Sequence, residues 1–194
     1  MRALRSDGLA AVYTRHRSFS PRASRAEVLA HERVLEAVMK RGPVLPLRFG
    51  IQLRSEAELE EVLRERRTEL LRSIERVRGR VELGLRVLGG AAERPRGTRQ
   101  SGRDYLLGRL GEQRRADRAA RELHEPLAEL GLASRLREHP APPAILVGSY
   151  LVEEADVERF RARANALAAE QPDLQVFVTG PWPPYSFTEE EEPK

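Results

Sequence analysis

The chain has 194 residues, a formal net charge of +4, and a composition that is 33% charged and only 5% aromatic. It contains no cysteine, which excludes disulfides, thiolate metal sites and cysteine nucleophiles. No apolar run approaches the roughly 20 residues that cross a bilayer, and the N-terminus lacks the apolar run of a signal peptide. A cytoplasmic protein is therefore expected.

Charge is distributed unevenly along the chain. Residues 1–121 carry 28 basic and 16 acidic side chains, whereas residues 122–194 carry 6 and 14. Genome composition is a sufficient reason for the abundance of arginine, but it does not explain the difference between the two parts. The asymmetry suggests two modules, or an acidic end that meets a basic surface.

Strand and helix signals alternate at the N-terminus. The short apolar run Gly8–Tyr13 suits a strand. Ser24 and Glu27 then form a capping box, in which each side chain can satisfy a backbone amide of the first helical turn. The helix that they open is predicted to end at Gly42, which is followed by a proline.

The next segment is predicted to hold a strand, a helix and a second strand. Val44–Gly50 reads as a strand at an edge or a bulge, because Pro46 has no amide hydrogen for a ladder. A second capping box, Ser55 with Glu58, opens a long helix. Arg80–Leu88 alternates strictly between apolar and polar residues and is predicted to be a half-buried strand.

The second half begins with residues 89–102, which are rich in Gly, Arg and Pro and are predicted to be a flexible loop or linker. A long helix is predicted from residue 103 to 137, bent or broken near Pro126 and Gly131. The remaining predicted elements are a strand at 144–152, a helix at 154–169 and a strand at 174–179.

These elements predict an α+β protein of two small domains. The N-terminal domain covers residues 1–88. The C-terminal domain, a helix-rich α+β unit, covers residues 103–194 and includes the proline-rich tail.

No catalytic, cofactor or metal site can be assembled from the sequence. His31 begins an HExx sequence, but the fifth position of the zinc-protease motif is Leu35. The other histidines are scattered without metal-ligand spacing. The acidic group at residues 153–156 is better explained by capping of the following helix than by catalysis.

A basic stripe is the candidate for an alternative function. Arg114, Arg118 and Arg121 share one face of the predicted helix, and residues 93–121 carry nine basic and four acidic side chains. Such a surface can contact phosphates, so an RNA-associated protein is the alternative. A solvated helix face is the favoured interpretation, because Tyr105 is the single aromatic residue between residues 50 and 149.

The tail "GPWPPYSF" concentrates rare residues. It holds the single Trp of the chain, and three of the 13 prolines lie within four residues. Prolines restrict the backbone, so the segment loses little entropy when it docks. Trp182, Tyr185 and Phe187 are therefore predicted either to close the C-terminal domain as a clasp or to contact a partner directly. The glutamates at 189–192 are expected to be a solvated end.

Five segments together resemble the GvpL/GvpF family of gas vesicle proteins, in order over nearly the whole chain. They are "HERVLEAVMKRGPVLPLRFG" (31–50), "GRVELGLRV" (79–87), "GRDYLLGRL" (102–110), "SYLVEEADVERF" (149–160) and "TGPWPPYSF" (179–187). The central helical pieces are weak individually, whereas their combination with the closing segment is highly specific.

The resemblance implies a non-enzymatic role in building gas vesicles, with no cofactor. It implies two α+β domains, the first of them ferredoxin-like. It also implies an accessory or minor structural protein, located in the cytoplasm and at the gas vesicle, that binds the major shell protein and other gas vesicle proteins.

The resemblance contains one departure. Family members usually begin with a further strand ahead of the segment that matches Gly8–Tyr13. Its loss would leave an unpaired edge, which makes self-association at the N-terminal sheet an expectation. A start codon assigned too late would explain the same gap.

Overall fold

The computed structural model describes residues 1–16, 24–89, 108, 110–111, 114 and 117–188. Helices and two antiparallel sheets confirm the α+β class. The chain divides into two compact units. The first contains Met1–Gly79 together with the segment from Pro183 onward, and the second is Arg80–Trp182.

This division differs from the predicted domain boundaries at both ends. The strand that begins at Arg80 belongs to the second unit, because both of its pairing partners lie there. The segment from Pro183 belongs to the first unit. The charge asymmetry does not follow the units, since the first carries 18 basic and 15 acidic side chains and the second 16 and 15.

The first unit begins with a β-hairpin. Strand β1 (Arg2–Ser6) pairs antiparallel with β2 (Leu9–Tyr13). Asp7 and Gly8 connect them with φ values of 43° and 87°, the left-handed pair that a tight hairpin turn requires. The prediction of β2 is confirmed. The expected loss of a strand ahead of β2 is wrong, because β1 lies there and pairs with β2. Self-association was expected only because of that missing strand.

The described part of the first unit also contains three α-helices: α1 (Arg25–Met39), α2 (Glu56–Glu65) and α3 (Arg67–Val77). The capping box of Ser24 with Glu27 is present at the start of α1. The Ser55 side chain accepts a hydrogen bond from the Glu58 amide at the start of α2. The long helix predicted after Ser55 is two helices, because Arg66 leaves the helical region with a ψ of 13°.

The predicted strand at Val44–Gly50 is wrong. The structure has an irregular segment there, between α1 and α2. Two prolines at positions 43 and 46 remove amide donors, and no strand among the described residues pairs with the segment.

The second unit contains four strands. The strands are β3 (Arg80–Gly89), β4 (Ala133–Leu136), β5 (Ala144–Glu153) and β6 (Leu174–Trp182). They form one antiparallel sheet in the order β4-β5-β3-β6. Between β3 and β4 lie a π-helical turn (Ala120–His124) and a short helix, α4 (Glu125–Ala128); between β5 and β6 lies α5 (Val157–Ala169).

The succession strand, helix, strand, strand, helix, strand in this order is the ferredoxin-like arrangement. That arrangement was expected in residues 1–88. It is found in the second unit instead, because β3 starts the second unit rather than ending the first.

The core of the second unit lies on one face of the sheet. Alternate residues of β3 point to this face, and Leu83 lies opposite Tyr150 in the register with β5. Helix α5 contributes Phe160, whose ring centroid lies 5.0 Å from that of Tyr150. All three side chains are fully buried.

The helix predicted from residue 103 to 137 is only partly correct. Residues described between 108 and 128 are helical, but Ala133–Leu136 form β4. Gly131 lies in the turn after the helix, and the strand beyond it finds a ladder with β5. The predicted loop at 89–102 lies outside the described residues apart from Gly89, which ends β3.

Candidate functional site

The candidate site is built around Trp182, the last residue of β6. Its side chain is 43% exposed although it is the largest apolar group in the chain. Its indole Nε1–H donates a 3.2 Å hydrogen bond to Thr179 Oγ1 on the same strand. The ring is therefore presented to the surface in an orientation that the protein itself holds.

Gly84 makes room for this arrangement. It lies opposite Thr179 in the β3–β6 register, and a Cβ atom built on Gly84 would come within 2.7 Å of Thr179 Oγ1. Any larger residue at position 84 would displace the Thr179 hydroxyl, which accepts the hydrogen bond from the Trp182 indole. The glycine in "VELGLRV" therefore has a packing reason.

A bulge at Gly180 lets the strand continue past a proline. Gly180 has a φ of 105°, and a Cβ atom there would lie 2.7 Å from the carbonyl oxygen of Glu82. From α5, Arg161 Nη2 donates a hydrogen bond to the Gly180 carbonyl oxygen. Arg161 Nε is buried without a hydrogen-bond partner among the described residues. The Arg161 guanidinium thus connects α5 to the end of β6 through the hydrogen bond that Nη2 donates.

Phe177 extends the same surface. It lies opposite Arg86, two positions along β3 from Gly84, so Phe177, Thr179 and Trp182 share the sheet face that points away from the core. Phe177 is 48% exposed. We call these three residues the aromatic face. One strand thus displays two large rings on a flat support.

Only part of this side of the sheet is open. At the Trp182 end, Glu82 is 8% exposed and Leu151 is 1% exposed. At the Phe177 end, Arg86 is exposed. The accessible surface therefore runs along β6 and over Arg86.

The three predicted aromatic residues do not act together. Trp182 ends the second unit, whereas Tyr185 and Phe187 form a single 3-10 turn in the first unit. Phe187 is 3% exposed, as a structural residue should be. Burial, and then the nearby Glu32 carboxylate, raise the pKa of the Tyr185 hydroxyl. The structure therefore places the three residues in two different units, and the clasp and the partner contact both stay predictions.

The basic stripe is exposed but not free. Arg114, Arg118 and Arg121 are exposed, and Arg118 Nε donates to Glu122 at 2.8 Å, four positions along the helix. The same carboxylate accepts a hydrogen bond from Gln171. The other six cations of residues 93–121 lie outside the described residues. Among the three arginines, Arg118 thus has a carboxylate partner on the helix, and the role of the stripe stays a prediction.

Another apolar surface lies in the first unit. The irregular segment before α2 exposes Leu47, Ile51 and Leu53. His31 supports it from α1, because its Nε2 lies 3.0 Å from the Leu47 carbonyl oxygen and its ring meets Phe49 edge-on. This contact gives the HExx histidine a structural role.

Within the described residues, no group of three or more His, Asp or Glu side chains is placed to hold a metal ion. In the same residues, no helix has the length and apolar character needed to span a bilayer.

Phe177 and Arg86 were not among the site residues predicted from the sequence. A signal for both was present, since "LQVFVT" and "RVELGLRV" alternate with period two. The alternation places both residues on the outward face, but it does not say which outward positions remain uncovered.

Comparison with known proteins gives a consistent result. A family model described as gas vesicle synthesis protein GvpL/GvpF matches residues 1–189. Gas vesicle protein L of Streptomyces sp. (strain CB03234) is 34% identical over 180 residues, which cover 81% of this chain and 67% of that protein. Gas vesicle protein F2 of Halobacterium salinarum is 31% identical, with 93% and 76% covered.

Two crystal structures share the fold. GvpF from Anabaena sp. PCC7120 matches with a TM-score of 0.82, covering 98% of this chain and 86% of that one. GvpF from Microcystis aeruginosa matches with a TM-score of 0.79, covering 97% and 88%. Both are 19% identical in sequence, so they support the fold alone.

Proposed function

Because the chain belongs to the GvpL/GvpF family of gas vesicle synthesis proteins, we propose that it is a non-enzymatic accessory or minor structural protein. It binds the major gas vesicle shell protein and supports assembly of the vesicle. On this proposal it acts in the cytoplasm and at the vesicle, together with other gas vesicle proteins, and it needs no cofactor.

The observation that supports a binding role is the aromatic face. Exposed apolar surface rimmed by polar residues is typical of interaction sites, and Phe177 and Trp182 lie exposed on one sheet face with Thr179 between them. Aromatic residues, Trp and Tyr above all, are enriched among the residues that dominate interface energies. Phe177 and Trp182 are exposed while the indole is held by Thr179, so part of the ordering cost of binding is met before the partner arrives.

Burial of the two rings would contribute to the binding free energy. Each ring is already about half buried, so the gain per ring is below the ~1.5–3 kcal/mol of a large apolar side chain that is fully buried from water. The two rings lie on either side of Thr179 on one strand, and Arg86 lies beside Phe177 on the neighbouring strand, so apolar and polar groups alternate across this surface. A shell subunit that buries both rings would gain most of its affinity there.

The test is capture of the major shell protein by co-expressed, affinity-tagged protein after nuclease treatment. We expect wild type to retain the shell protein. Phe177→Ser and Trp182→Ser should each lower the retained amount by about tenfold or more, as expected for residues that dominate an interface. Leu132→Ser is the matched control, since Leu132 is also a large exposed apolar residue of the second unit.

Two results would contradict the proposal. Failure of the folded wild-type protein to retain any shell protein would remove the binding role. Equal losses in the Leu132→Ser control and the two ring variants would show that the aromatic face has no particular part in it. Nuclease-sensitive retention would point to nucleic acid as the bridge.

A further inference from the structure

The two edges of the second sheet are built differently. Edge strand β4 has four residues and includes Arg135. The other edge, β6, has nine residues, and its stretch Leu174–Thr179 contains no charged side chain and no proline. Natural sheets usually block an edge by shortness, charge or proline, because an open edge pairs with other strands.

Both strands of the hairpin in the first unit are edges, and each has only five residues. Strand β1 also carries exposed arginines at positions 2 and 5, whereas β2 has no charged residue and includes two alanines, which are weak strand formers. Among the strands that end a sheet in the described residues, β6 is therefore the one that combines length, absence of charge and strong β-forming residues. Its first proline, Pro181, comes only after the bulge at Gly180.

Cations lie beside this edge. Arg86 is opposite Phe177 on one side and opposite Val147 on the other. The amide of Arg137, just beyond β4, donates to the Val147 carbonyl oxygen at 2.9 Å. Both guanidinium groups belong to exposed residues, and no carboxylate pairs with either one within the described ranges. The row across the sheet thus places a positive charge, with no carboxylate partner in the described part of the chain, beside an exposed ring.

We propose that β6 accepts an extended segment of the shell protein as a fifth strand, and that this segment carries a carboxylate that pairs with Arg86. The backbone of β6 supplies the hydrogen bonds of strand addition, and alternate side chains of the added strand lie over the aromatic face. The charge of Arg86 favours registers that place the carboxylate on the aromatic-face side of the added strand, near Phe177. The inference rests on the proposed function and identifies how the same site recognises its partner.

A single-stranded nucleic acid fits this surface less well. Binding modules for nucleic acid stack successive bases on neighbouring aromatic side chains. Here Phe177 and Trp182 are five residues apart on one strand, and the central strands present Gly84 and Ser149 between them and β4. A protein strand needs only the edge and alternate side-chain contacts.

Hydrogen exchange of the full chain with and without co-purified shell protein tests strand addition directly. The amides of Leu174–Thr179 should exchange more slowly in the complex, because the outward-facing ones gain acceptors. Unchanged exchange in β6 while the shell protein remains bound would overturn strand addition and leave the proposed function standing. Absence of a complex would overturn both.

Two substitutions distinguish a charge placed on the β6 edge from a charge placed elsewhere on the surface. Gln175→Lys places a charge on the exposed side of β6, and Gln52→Lys makes the same change at an exposed position of the first unit. We expect Gln175→Lys to lower capture of the shell protein by about tenfold, a change of about 1.4 kcal/mol. Gln52→Lys should leave it unchanged. Equal capture by the two variants would contradict the edge model.

The salt dependence of shell-protein capture tests the proposed ion pair of Arg86. Exposed ion pairs are weakened by screening, so capture by wild type should fall between low and high salt. Arg86→Met should capture up to about fivefold less at low salt and should lose most of the salt dependence. Arg163→Met, at an exposed position of α5, is the control. A salt dependence that Arg86→Met leaves intact would exclude the proposed carboxylate contact.

Discussion

His124 Nδ1 and the hydroxyl oxygen of Tyr150 lie 2.8 Å apart in the core of the second unit. Their ring centroids are 5.6 Å apart, and the tyrosine is fully buried. The pair joins the π-helical turn before α4 to the centre of β5. Burial lowers the pKa of the His124 imidazole, an effect that the Glu125 carboxylate opposes, and burial raises the pKa of the Tyr150 hydroxyl.

This pair predicts a pH dependence of stability. Because the folded state lowers the His124 pKa, the unfolded chain binds more protons once the pH falls below the ordinary histidine value of about 6.5. The contribution of His124 to the free energy of unfolding should therefore be fully present above that pH and should decrease as the pH falls further. Urea unfolding at pH 7.5 and pH 5.5 measures the difference.

His124→Gln should reduce that difference, since a glutamine side chain does not titrate. His139→Gln is the control, because His139 is exposed. An equal pH dependence in wild type and His124→Gln would show that other groups cause it.

Gly84→Ala should move the indole. The added Cβ would lie 2.7 Å from Thr179 Oγ1, which accepts the Trp182 hydrogen bond. Trp182 is the single Trp of the chain, so intrinsic fluorescence reports on it alone. We expect a shifted emission maximum and altered quenching by acrylamide.

The matched control for this change is Gly108→Ala. Gly108 is helical, and nothing lies within 4 Å of a Cβ atom built there. That variant should leave the emission unchanged and stabilise the protein by up to about 1 kcal/mol. Identical spectra for wild type and Gly84→Ala would mean that the hydroxyl does not position the ring.

Ser24→Ala should destabilise α1. The Ser24 hydroxyl accepts a hydrogen bond from the Glu27 amide at 3.2 Å and completes the capping box. Loss of such a cap costs about 1 kcal/mol. Thr68→Ala, at an exposed position in the first turn of α3, removes a hydroxyl of similar exposure and should cost little or nothing. Thermal unfolding of both variants measures the contrast, and equal losses would refute the cap.

Substitution of Phe187 should mainly lower stability, whereas substitution of Phe177 should mainly weaken binding. Phe187 is 3% exposed, so Phe187→Ala should cost about 3–5 kcal/mol of unfolding free energy. Phe177 is 48% exposed, so Phe177→Ala should change stability by about 0.5 kcal/mol or less while weakening capture of the shell protein. Urea unfolding and capture are measured on the same preparations. A large loss of stability in Phe177→Ala would place that ring in the core rather than at the surface.

The sequence by itself determined the local elements with strong period or capping signals. Strand β3, strand β5 and helix α1 were predictable because their signals lie within a few residues of one another. The family and the α+β class were also predictable, since the matching segments keep their order along the chain.

Only the tertiary structure decided which surfaces stay open. Alternation puts Arg86 and Phe177 on the outward side of their strands, but whether outward means exposed depends on elements distant in sequence. The same reason explains β4, whose four residues become a strand only through their ladder with β5. It also explains why Trp182 and Phe187 belong to different units although they are five residues apart. Backbone pairing with β3 places Trp182 in β6, whereas the Phe187 side chain is buried in the first unit.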